Sequence, residues 1–139
     1  MNSLLLKGMA PLLQVFDMPA SLKFYRDILG FKVKQSSGDG DDVDWVLLQM
    51  NEIELMLNTA YEKPERPPEP EPARINIHND TALYFGCPDI DSAYLYLVNL
   101  WPVHKPMITG YGWKALDLKD PDGYHLCFHW PLNETVKKE

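Results

Sequence analysis

His125, Cys127 and His129 occupy every second position of the stretch YHLCFHW, residues 124–130. On an extended strand side chains alternate between faces. These three then point one way, and Leu126, Phe128 and Trp130 the other. Imidazole and thiolate groups hold metals, and they also hydrogen-bond organic ligands. His125 and His129 would stand about 13 Å apart at ~3.3 Å per residue, too far to share one ion. His125 with Cys127, or Cys127 with His129, could share one if Glu54 supplied a third ligand. The same residues suit the wall of a pocket that binds without metal.

A strand that presents such groups needs its back covered, and the chain supplies the means twice. Shifting the first half by 72 residues lays APLLQVFDMPASLKFYRDILGF on ALYFGCPDIDSAYLYLVNLWPV. Leu13 meets Phe85, Asp17 meets Asp89 and Met18 meets Ile90, the mark of a duplicated unit. Each half predicts a strand (residues 12–16; 83–87), then a helix. Asp17 and Asp89 stand where an acceptor caps free N–H groups. Gly30 suits the end of the first helix, and the second stops before Pro102. Further strands follow at 32–35, 43–50 and 52–58, and at 103–105, 113–119 and 124–130. Hairpin turns fall at MNE and DPDG, where Gly123 suits a positive φ. The expected fold is α+β: two βαβββ modules forming a curved mixed sheet around a cleft, helices on the convex side. The chain, 1–139, reads as one domain, with modules at 9–60 and 81–131. Between them, residues 61–80 carry five prolines interleaved with glutamates. They read as an extended connector, neither helix nor central strand.

Alternation puts Leu13, Val15, Ile53, Leu55, Leu57, Leu83, Phe85, Leu116, Leu118, Leu126, Phe128 and Trp130 against the helices. Leu22, Tyr25 and Ile28, and Ala93, Leu97 and Leu100, are their expected helix contacts. The opposite face collects Gln14, Trp45, Gln49, Glu54, Met56, Tyr84, Trp113, Asp117, His125, Cys127 and His129. Aromatics mixed with acids, amides and His suit a concave binding surface. Of these, Trp45, Gln49, Glu54, Tyr84, Trp113, Asp117, His125, Cys127 and His129 are the expected ligand-binding set. Glu54 is the best candidate for a general base should there be catalysis. His78 and His104 read as solvated.

The net charge of −7 argues against a nucleic-acid backbone as partner. No apolar run is long enough to span a membrane. The leading segment MNSLLLKGMAPLL lacks the basic start of a signal peptide. With two cysteines, Cys87 and Cys127, the reading is a cytoplasmic chain with free thiols.

LQVFDMPASLKFYRDILGF and DLKDPDGYHLCFHW together resemble the vicinal oxygen chelate superfamily, over about residues 10–130. That group holds glyoxalases, extradiol dioxygenases, and bleomycin- and fosfomycin-resistance proteins. The resemblance implies paired βαβββ modules, and in the enzymes a divalent metal held from four strands. Its ligand positions fall here on Ala10, Glu54, Ala82 and Cys127. Two alanines cannot coordinate, so the resemblance points to the metal-free, bleomycin-resistance-like members. No cofactor is expected. The reading is a binding protein that sequesters or senses a small ligand, a cationic aromatic one among the candidates, working as a homodimer. The alternative is a metal-dependent lyase, isomerase or dioxygenase with displaced ligands.

Overall fold

The computed structural model describes residues 3–133. It divides into two compact units between Pro68 and Glu69. The first unit runs β1 (Leu12–Val15), α1 (Met18–Leu22), β2 (Lys32–Ser36), β3 (Trp45–Met50) and β4 (Ile53–Thr59). The second runs α2 (Pro72–Ile77), β5 (Ala82–Gly86), α3 (Ile90–Leu97), β6 (Met107–Ile108), β7 (Trp113–Lys119) and β8 (His125–Pro131). Each unit makes its own four-stranded mixed sheet, in the orders β1-β4-β3-β2 and β5-β8-β7-β6. In both, the first strand pairs parallel to the last, so the duplicated βαβββ topology is present.

In the first unit, Leu13, Val15, Val46, Leu48, Leu55 and Leu57 form the buried sheet face, and Met18, Leu22, Phe24 and Tyr25 cover it. Burying one such side chain stabilises by about 1.5–3 kcal/mol. Ile28, expected in this core, is only half-buried, and Phe24 is fully buried. The cause is local: α1 continues over Lys23–Ile28 in wider π-type turns, with Leu29 N–H donating to Phe24 O at 2.9 Å. Widening the turn rotates the covering face. Asp17 makes no side-chain cap, whereas Asp89 accepts from Ser92 N–H at 3.0 Å.

The second unit buries Leu97 of α3 against Leu116, Leu118 and Leu126. Ala93 is half-buried, but Leu100 is 49% exposed. Leu100 lies beyond the helix, where the Leu100 and Trp101 N–H groups both fold back onto Leu97 O. The strand expected at 103–105 is a single bridge from Val103 to Leu118, and β6 follows at Met107–Ile108. Pro102 and Pro106 flank the expected strand, and neither can donate to a ladder.

The connector is not wholly extended. It holds a 3₁₀ turn at Lys63–Glu65, then α2, then a second 3₁₀ turn at His78–Asp80. Pro64 and Pro72 sit in first turns, where a missing N–H costs nothing because no intrahelical acceptor faces it. α2 is fastened to the DPDG turn. Arg74 pairs with Asp122 at 3.0 Å, and the Asp122 side chain is only 3% exposed. His78, expected to be solvated, instead stacks on Tyr124 at 3.9 Å and places Nδ1 2.7 Å from Asp122 O. Within the turn, Asp120 Oδ1 accepts from the N–H groups of Asp122 and Tyr124, both at 2.9 Å. Among the described residues no helix is long and apolar enough to cross a membrane.

Candidate functional site

β8 sets the register of the second sheet's open face. Lys119 pairs with His125, Asp117 with Cys127, and Ala115 with His129 on the β7 side. On the β5 side Ala82 pairs with His125, Tyr84 with Cys127 and Gly86 with His129. Leu116, Leu118 and Leu126 are buried on the other face. Lys114 shows which face carries the helix, because its Nζ reaches Asp91 of α3 at 2.7 Å and it pairs with Trp130. His125, Cys127 and His129 therefore share the open face with Tyr84, Trp113 and Asp117.

That face is graded along the strands. At one end the His129 and Trp113 rings stack, 4.4 Å apart and 28° from parallel, and Tyr84 meets His129 edge-on at 5.0 Å. Tyr84 is 60% exposed. In the middle stands Asp117, with Cys127 on one side and His125 Nε2 3.7 Å from its Oδ1. At the far end are Lys119 and His125. Cys127 is almost covered, so it offers a ligand little surface. Burial, then its hydrogen bond to the Asp117 carboxylate, pushes its thiol up to about 12. It is a protonated donor to Asp117 at neutral pH.

The first sheet's open face carries Trp45, Gln49 and Glu54. Gln49 pairs with Glu54, and Trp45 with Asn58. Lys34 Nζ meets Glu54 Oε2 at 2.8 Å, and both side chains are partly solvated. Glu54 thus sits in a surface ion pair, not in a dry pocket.

The family's metal positions do not fit a metal here. Ala10 and Ala82 have no donor atoms, Glu54 is ion-paired to Lys34, and Cys127 holds its proton. A thiol must lose that proton to ligate. Among the described residues no three His, Cys, Asp or Glu side chains gather closely enough to hold an ion.

Sequence reasoning missed Lys119, Trp101 and His104. They line one pocket of 420 Å³ together with Asp117 and His125. The signal for Lys119 was present, since it stands two residues from Asp117 on the same strand face.

The fold and this face define the class. The chain belongs to the Glyoxalase/Bleomycin resistance protein/Dioxygenase superfamily, whose family model matches residues 9–128. A comparison with curated proteins returns no match. Among solved structures it is similar to the bleomycin-binding protein of bleomycin-producing Streptomyces verticillus in complex with copper(II)-bleomycin. Identity is 18%, with 91% of this chain and 97% of that chain covered and a TM-score of 0.66. A second bleomycin-binding protein, complexed with bleomycin, matches at 19% identity over 89% of this chain and 98% of that one, TM-score 0.64. A protein of unknown function from Agrobacterium tumefaciens str. C58 is 24% identical over 89% and 95%, TM-score 0.66. These likenesses show the fold.

Proposed function

We propose that this protein binds a small, flat, positively charged organic molecule on the open face of its second module, without metal, to sequester or sense it. The observation that carries the reading is the ring group Trp113, His129 and Tyr84 beside the Asp117 carboxylate. Aromatic faces attract a cation by about 0.5–2 kcal/mol each, and Asp117 adds a charge partner. Cys127 supports that partner by donating an S–H hydrogen bond to it. The net charge of −7 favours the approach of cations. Two structural neighbours are complexes with bleomycin, a bulky organic ligand, and that supports ligand binding as the use of this fold. The working form is a homodimer in a cytoplasmic setting. Exposed Leu4, Leu5, Leu6 and Met9 form an apolar stretch that a second copy would cover.

The test is a tryptophan-fluorescence titration with N-methylquinolinium and with neutral quinoline at pH 8. The cation should bind more tightly. Asp117→Asn should weaken it by about 1–3 kcal/mol while leaving quinoline unchanged. Equal affinities for the two probes, unaffected by the substitution, would refute the reading. Elemental analysis of protein purified without chelator should find well under one metal per chain. A stoichiometric metal lost on substituting Glu54 or Cys127 would restore the enzyme alternative.

A further inference from the structure

We propose that the pocket beside Lys119, which adjoins the ring group and shares Asp117 and His125 with the open face, takes an aromatic carboxylate. Its outer wall is the segment after α3. Val103 bridges Leu118, and His104 N–H reaches Asp117 O at 3.5 Å, so this segment is laid along β7. Trp101 Nε1 donates to Lys119 O at 2.7 Å, which holds the indole in place as an apolar wall next to Pro102 and Val103. The volume, 420 Å³, lies in the range of small-ligand sites, about 300–1,000 Å³.

The sign of the ligand follows from which polar groups are already engaged. Asp117 keeps its negative charge but accepts from the Cys127 thiol. Asp120 spends Oδ1 on two backbone N–H groups and is 4% exposed. Both carboxylates that line the pocket therefore have donors. Lys119 and His104 are exposed, and neither makes an ion pair among the described residues. Register places the Lys119 ammonium beside the His125 ring on one face. What the pocket offers an incoming molecule is thus a flat apolar wall and, as its exposed charged group without an ion pair among the described residues, the Lys119 ammonium. A planar ring bearing a carboxylate matches both. This end of β8 lies four residues, about 13 Å, from the ring group at His129.

The proposal does not rest on the cationic-ligand reading, because N-methylquinolinium binding could fail while this pocket still fills. The experiment is an NMR titration of the ¹⁵N-labelled full chain with benzoate, neutral benzamide and benzylammonium. Benzoate should produce saturable shifts at the Trp101 indole N–H and at the amides of His104 and Lys119. Benzamide should bind at least fivefold more weakly, and benzylammonium should leave these signals still. Lys119→Gln, at an exposed position, should weaken benzoate at least fivefold without weakening benzamide, and its otherwise unchanged spectrum shows that it folds. Equal binding of benzoate and benzamide overturns the proposal, as does shifting confined to the Trp113 and His129 signals. An unchanged benzoate affinity in Lys119→Gln overturns it as well.

Discussion

Gly123 closes the turn that hands β7 on to β8, and replacing it with alanine tests whether that turn is braced from outside. Its φ is +86°, and an added Cβ would come within 2.7 Å of Ile75 O and 2.8 Å of Ile75 Cγ2. Two costs therefore add. A side chain in the left-handed region costs roughly 1–2 kcal/mol. Forcing the backbone of α2 aside costs about 1–3 kcal/mol more, as overpacking does in cores. Removing a glycine from the unfolded chain returns about 0.4–1 kcal/mol. The net loss should be about 2–4 kcal/mol. The same module supplies controls. Gly112 has the same φ of +86° with nothing within 4 Å of a new Cβ, and Gly110 has open space and no such φ. Gly112→Ala should then cost about 1 kcal/mol, and Gly110→Ala less than about 0.5 kcal/mol. Urea unfolding read by tryptophan fluorescence suits the comparison, since Trp101, Trp113 and Trp130 lie in this module and Trp45 in the other. If Gly123→Ala loses no more stability than Gly112→Ala, α2 does not brace the turn and the account of the hairpin is wrong.

Two further outcomes can be checked. Cys127 is buried with its thiol pushed up to about 12, while an unfolded thiol ionises near 8.5, so the folded state binds the extra proton. Stability should be full below about pH 8.5 and fall as pH rises toward about 12, by at most about 5 kcal/mol. Cys127→Ala should flatten that alkaline fall in pH-dependent urea titrations, and an unchanged slope would count against the buried thiol. Light scattering at micromolar concentration should give twice the mass of the chain, and a Leu4→Ser, Leu5→Ser, Leu6→Ser variant should shift it toward the single-chain value. A single-chain mass before substitution would remove the dimer from the reading.

Alternation carried most of what was legible in the sequence. β7 runs over Trp113–Lys119 as read, because a seven-residue period-2 pattern bounded by Gly112 and the DPDG turn leaves no competing register. The faces of β8 follow for the same reason. What failed depended on contacts that periodicity does not encode. A π-type turn moved Phe24 into the core and Ile28 toward its edge. Pro72 read as a breaker, yet at the start of α2 its ring is compatible with a helix. Asp17 and Asp89 look equivalent in the repeat, but only Asp89 has a serine three residues on, whose hydroxyl donates to the Asp89 carboxylate at 2.8 Å beside the N–H at 3.0 Å. A lysine ending a strand usually marks a solvated edge, and only the Trp101–His104 segment, 15 to 18 residues upstream, makes Lys119 part of a pocket.

The three residues that alternate along β8 show why spacing alone could not choose their chemistry. Each meets a different neighbour across the sheet. His125 stands between Lys119 and Asp117, the Cys127 thiol donates a hydrogen bond to Asp117, and His129 lies against Trp113 and Tyr84. A metal would need the Cys127 thiolate, and the adjoining carboxylate disfavours that anion by like-charge repulsion and by accepting a hydrogen bond from the protonated thiol. Asp117 thus converts a metal-like pattern into a row of hydrogen-bonding and stacking groups, cationic at the Lys119 end and aromatic at the Trp113 end. A ligand recognised here would be sorted by charge along the strand, and Asp117 is the position at which substitution should disturb both ends at once.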